Sequence, residues 1–95
     1  MDLSDYRAEL DRIDSELVRL FAARMDVVGK IAAWKQENDM QVYDRQREQE
    51  KLLSVKAQSP EELREDTAEL FTLIMKLSRR RQNRLLQPES PEGRE

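Results

Sequence analysis

The sequence predicts an all-α domain, on three observations. Charged residues make up 39% of the chain and hydrophobic ones 38%, with two Gly and three Pro in 95 residues, too few turn formers for a β protein. From Leu3 to Gln36 the apolar residues Leu10, Ile13, Leu17, Leu20, Phe21, Val28 and Ile31 recur by threes, fours and one gap of seven, the period of one helix face. Helix-start residues then follow at Asp44 and Ser59.

The first element is one long helix of roughly 50 Å at 1.5 Å per residue, with Ser4 as the expected N-cap and Gly29 as its one weakening residue. Residues 37–43, ENDMQVY, break the period and read as a loop. Asp44 caps a second, shorter helix through about Ala57, whose face carries Glu48, Leu52 and Val55. The run Ser59-Pro60-Glu61-Glu62 reads as a capping-box start, with proline at the first helical position, for a third helix to about Leu86. Its stripe is Phe71, Met75, Ser78, Gln82 and Leu85, flanked by Ile74 and Leu77. Residues 1–86 thus form one domain, and 87–95, polar and Pro-rich, predict a disordered tail or linker.

A chain this small buries only about 60% of the surface its unfolded form exposes, so a partner subunit is expected. It has no Cys and no His, which removes the thiolate nucleophile, the commonest metal ligand and the commonest general base. Chemistry must come from carboxylates, amides, hydroxyls and cations, and neither a metal nor another cofactor is expected. A net charge of −3 argues against a nucleic-acid partner, although locally basic patches remain. The start MDLSDYRAELD has no apolar signal region, and no apolar run approaches the ~20 residues that span a bilayer. A soluble cytoplasmic protein without membrane contact is expected.

All three stripes lapse into polar groups. On the first, Leu17, Phe21, Arg24, Val28, Ile31 and Lys35 lie along one line, and the eleven residues from Arg24 to Lys35 return to within roughly 20° of one direction. On the second, Asp44, Arg47 and Glu48 cluster at the helix start. On the third, Ser78 and Gln82 stand where Leu would pack better. Each has a plain structural reading: snorkelling cations, a cap with a surface ion pair, polar groups satisfied by water or backbone. Together they suggest one shared polar pocket inside a helical bundle. Arg7 lies 17 residues before Arg24, about 26 Å away and about 100° out of phase, so the two cannot grip one small ligand from the same chain. Either Arg7 is a solvated surface residue, or long helices paired across a two-fold axis bring it to the Arg24–Lys35 stretch of a second subunit.

From Leu3 to Leu86 the chain resembles the AroQ-type, all-helical chorismate mutases. The residues that carry the resemblance are Arg7, Arg24-Met25, Lys35, Val42-Tyr43-Asp44, Arg47-Glu48, and Ser78 with Gln82, in order and at the family's spacings. It implies an intertwined homodimer of three-helix subunits with two shared sites, rearranging chorismate to prephenate on the route to phenylalanine and tyrosine. By the same resemblance Arg24 binds one substrate carboxylate, and Arg7 of the second subunit adds another cationic clamp. Lys35 and Gln82 address the ether oxygen of the breaking bond. Glu48, helped by the Asp44 backbone, holds the ring hydroxyl; Ser78 meets the ring carboxylate, and Arg47 supports the site electrostatically. The loop before Val42, which often carries Gly and Pro in relatives, reads Asp39-Met40-Gln41 here. Relatives are often fused to other aromatic-pathway enzymes, and residues 87–95 suit a linker.

Two rival readings fit the same residues. Isochorismate-pyruvate lyases of the same fold use a similar cationic pocket, and Glu48, an acceptor for the hydroxyl of chorismate, favours the mutase. A non-catalytic helical dimer would bind a partner or nucleic acid through the run from Arg79 to Arg84, which otherwise reads as a solvated face.

Overall fold

The computed structural model describes residues 1–86, so the tail expected over 87–95 lies outside the described residues. Three helices make up the fold: α1, Leu3–Glu37; α2, Arg45–Gln58; and α3, Arg64–Leu86, which is entered through a short 3-10 turn at Glu61–Leu63. No strand occurs among the described residues. The all-α expectation and the three-helix order hold.

The helix boundaries follow local hydrogen-bond chemistry. At the start of α1 the N-cap is Asp2, two residues earlier than the Ser4 expected. Asp2 Oδ1 accepts from the Asp5 N–H at 3.1 Å while Asp5 Oδ2 accepts from the Asp2 N–H at 2.9 Å, a reciprocal box that satisfies two orphan donors at once. Asp44 does cap α2, accepting from the Arg47 N–H at 3.0 Å. The capping box expected at Ser59 is absent. The Ser59 hydroxyl turns back and donates to the Val55 carbonyl at 2.7 Å, closing the end of α2, and Pro60 opens the 3-10 turn with no side-chain cap.

Helix α3 packs against both α1 and α2, whereas α1 and α2 make no close backbone approach to each other. The buried apolar residues are Val28 and Ala32 on α1, Val55 on α2 and Met75 on α3. They sit where α3 meets its two neighbours. Because α1 and α2 diverge from the shared helix, a gap opens between them with α3 as its back wall. The buried polar residues Ser78 and Gln82 face this region.

The first half of α1 stands away from this core. Every residue from Met1 to Ala23 is exposed, and the apolar series includes Leu10, Ile13 and Leu17, each more than half exposed. Among the described residues no helix is long and apolar enough to cross a membrane.

Candidate active site

The gap between α1 and α2 forms a cavity of about 240 Å³. Seven of the eight polar residues singled out in the sequence line it: Arg24 and Lys35 from α1, Asp44 at the head of α2, Arg47 and Glu48 from its first turn, and Ser78 and Gln82 from α3. Helical periodicity explains the convergence, since each set shares one face of its own helix. Val28, Ile31, Val42 and Met75 supply the apolar lining between them. Arg7 does not reach this cavity within the subunit; it is exposed on the free half of α1.

Individual contacts fix the side chains. Arg24 Nη1 donates to Ser78 Oγ at 2.7 Å, and the Ser78 hydroxyl donates to the Ile74 carbonyl at 2.8 Å, so α3 orients the guanidinium of α1. Lys35 Nζ donates to the Val42 carbonyl at 2.8 Å, tying the interhelix loop to the end of α1. An ammonium has three donors, so two remain for a ligand. Gln82 is buried, and its Oε1 is enclosed without a hydrogen-bond partner among the described residues. A buried polar atom left unpaired costs free energy, typically about 1–3 kcal/mol, unless a ligand completes it.

The cavity is strongly cationic. Arg24, Lys35, Arg47, Lys51 and Arg79 line it, against the carboxylates of Asp44 and Glu48. Burial, and after it the neighbouring charge of Arg47, pushes Arg24 below the ordinary arginine value. Both causes disfavour the guanidinium, so an anion placed here relieves repulsion as well as gaining hydrogen bonds.

Two residues of the cavity wall escaped the sequence reading. Lys51 lies at i+4 from Arg47 and i+3 from Glu48, so the polar face of α2 signalled it. In the sequence Arg79 reads as part of a solvated basic face. Instead its Nη1 donates to Glu48 Oε1, and its guanidinium lies over the Tyr43 ring, 5.1 Å from the centroid. Its neighbour Arg81 donates to the Met25 carbonyl at 2.9 Å. The basic run is therefore divided between the cavity, α1 and solvent.

A cavity of this kind suits a compact anion with more than one acidic group, held by forked guanidinium contacts and by point donors. Among the described residues the hydroxyl that lines it, that of Ser78, is engaged by Arg24 and the Ile74 carbonyl rather than by a base. Over 46 residues, 48% of the chain, the sequence is 37% identical to the T-protein of Haemophilus influenzae. The matched stretch covers 12% of that relative, so the chain spans only a small part of its length. No solved structure matches significantly. The profile of the chorismate mutase type II family matches residues 6–83, a span that takes in all three helices and every polar group of the cavity, and the chain belongs to that family.

Proposed function

We propose that this chain rearranges chorismate to prephenate, as one half of a homodimer whose two sites each draw on both subunits. The observation that carries the reading is the convergence of Arg24, Lys35, Glu48, Ser78 and Gln82, whose buried Oε1 has no partner among the described residues, on one cationic cavity. The reaction is a Claisen-type pericyclic step in which a C–O bond breaks as a C–C bond forms within one molecule. It needs no nucleophile, proton transfer or redox partner, and so makes no demand that a chain without His or Cys fails to meet.

What the reaction needs is a flexible dianion held in its compact chair form, and donors aimed at the ether oxygen as that oxygen gains negative charge. Arg24, held by Ser78, binds one carboxylate. The Ser78 hydroxyl exchanges its back-bond to Ile74 for the ring carboxylate. Lys35 directs a free N–H at the ether oxygen. Gln82 joins it, because rotation about its terminal torsion exchanges Oε1 for the Nε2 donor. Glu48 accepts the ring hydroxyl at the head of α2, beside the Asp44 backbone, and Arg47 adds positive potential. Lys35, anchored by the Val42 carbonyl, is in place before the charge develops, so its free donors favour the transition state over the ground state.

Arg7 belongs to the second site of the dimer. On its own chain it stands on the free half of α1, along with Leu10, Ile13 and Leu17. An apolar trough of about 460 Å³ between Leu17, Phe21, Leu70, Phe71 and Leu73 is of the kind that a second copy's α1 would fill. Aromatic amino acid biosynthesis in the cytoplasm is the setting consistent with this substrate.

The test is the disappearance of chorismate absorbance at neutral pH with purified protein and no added cofactor, run beside isochorismate. Turnover of chorismate to prephenate supports the proposal. Consumption of isochorismate alone, with release of pyruvate, would replace it with the lyase reading.

A further inference from the structure

A cavity that attracts a dianion has a difficulty when its own wall carries a carboxylate. Glu48 shares the space with Arg24, Lys35, Arg47 and Lys51. An unrestrained carboxylate would fold onto whichever cation lay within reach and compete with the substrate for it. Glu48 is restrained from α3, by a further cation of the same cavity wall. Arg79, on α3, donates to its Oε1, and the two side chains are only 32% and 21% exposed, against 65% and 60% for the surface pair Arg19–Glu16. Shielding of that degree makes the pair less subject to screening than a surface bridge. The Tyr43 ring lies against the guanidinium and attracts its charge. Only Oε1 is engaged; Glu48 Oε2 has no hydrogen bond among the described residues.

We propose that Arg79 is a positioning residue for Glu48: it holds one carboxylate oxygen on the α3 side, keeps the acid off the substrate-binding cations, and leaves the other oxygen free to accept the substrate's ring hydroxyl. This rests on the chorismate reading of the cavity and adds to it a role for the basic residue beside Ser78. The consequence is a reversal of sign. With Arg79 present, the charge of Glu48 assists binding. Without Arg79, that same charge competes with the substrate, and removing it should help.

The experiment is steady-state kinetics with chorismate on the wild type, Arg79→Met, Arg79→Lys, Glu48→Gln and the double variant Arg79→Met/Glu48→Gln, each also melted by circular dichroism. Losing a hydrogen bond to a charged group predicts a KM about tenfold higher for Arg79→Met, with a smaller change in kcat. Arg79→Lys, which keeps the charge but not the fork, should recover part of the loss. Glu48→Gln alone should raise KM, yet added to Arg79→Met it should lower KM several-fold from that of the single Arg79 variant. An unchanged KM in Arg79→Met overturns the proposal. So does a double variant no better than Arg79→Met, the pattern expected if Arg79 serves only to hold α2 against α3. If the wild type leaves chorismate untouched, the mutase reading fails and takes this proposal with it; if the wild type is active but the reversal is missing, only the role of Arg79 fails.

Discussion

In the proposed reaction Lys35 and Gln82 would offer different help to the oxygen that gains negative charge. Lys35 is a full charge already anchored by one bond to the Val42 carbonyl, so its ammonium is positioned before substrate arrives. Removing such a preorganised donor typically costs about 100- to 1000-fold in rate. Lys35→Ala should show a loss of that size in kcat, measured by chorismate consumption, with the helical content unchanged. A loss confined to KM would mean that Lys35 only binds. Gln82 is neutral, and its donor is present at every pH. In Gln82→Glu the introduced carboxyl can donate only while protonated, below an ordinary value of about 4.3. Once ionised it repels the developing charge. Activity should therefore fall as pH rises through that carboxyl's value and recover on acidification, a limb that the wild-type profile lacks. A variant with the wild-type pH–rate profile would remove Gln82 from the ether oxygen. The alignment of Arg24 with Lys35 was legible in the sequence because one helix period fixes it. The inward turn of Arg79 was not, because it depends on a carboxylate 31 positions away on another helix and on the Tyr43 ring.

Among the elements, the end of α1 shows how the cavity's rim is shaped without a glycine at the turn. The Met40 N–H reaches the Lys35 carbonyl at 2.8 Å and the Asp39 N–H reaches Gln36 at 3.3 Å, a Schellman closure with Asp39 in the left-handed region at φ 56°. That conformation suits glycine; aspartate tolerates it at some cost. Asp39→Gly should therefore stabilise the fold by about 0.5–1 kcal/mol after the entropy of the freer unfolded chain is deducted, raising Tm by roughly 2–8 °C. Calorimetry or a circular dichroism melt decides it. A lower Tm would show that the Asp39 side chain gives more than its backbone costs. The closure is also what brings Val42 back over Lys35, so the turn sets one wall of the site. Legibility differed among caps for a local reason. Asp44 was readable because nothing else competes for it, whereas Asp2 outdid Ser4 by pairing with Asp5, and the Ser59 hydroxyl was already engaged by the last turn of α2.

On the scale of the whole molecule, α1 is about 52 Å long by its 35 residues, and only its second half is packed within the subunit. Helix propensity seldom sustains an unpacked arm in water, and Tyr6, Leu10, Ile13 and Leu17 would lie bare along it. The sequence expressed this half of the fold as apolar periodicity, but periodicity says that a face is covered without saying by what. Arg7 makes the difference testable, because it stands on the uncovered half while Lys35 stands in the cavity. In a dimer with shared sites, Arg7→Ala disables a site built mostly by the other chain, and Lys35→Ala disables the site on its own chain. Each variant alone should then be nearly inactive. Mixed after unfolding and refolded together, random pairing makes half of the dimers heterodimers, each with one site lacking both substitutions and one carrying both. Activity should return to about one quarter of the wild-type value per chain. If the mixture stays as inactive as its components while size-exclusion chromatography shows exchanged dimers, Arg7 serves no neighbouring site, and the free half of α1 is covered for packing alone.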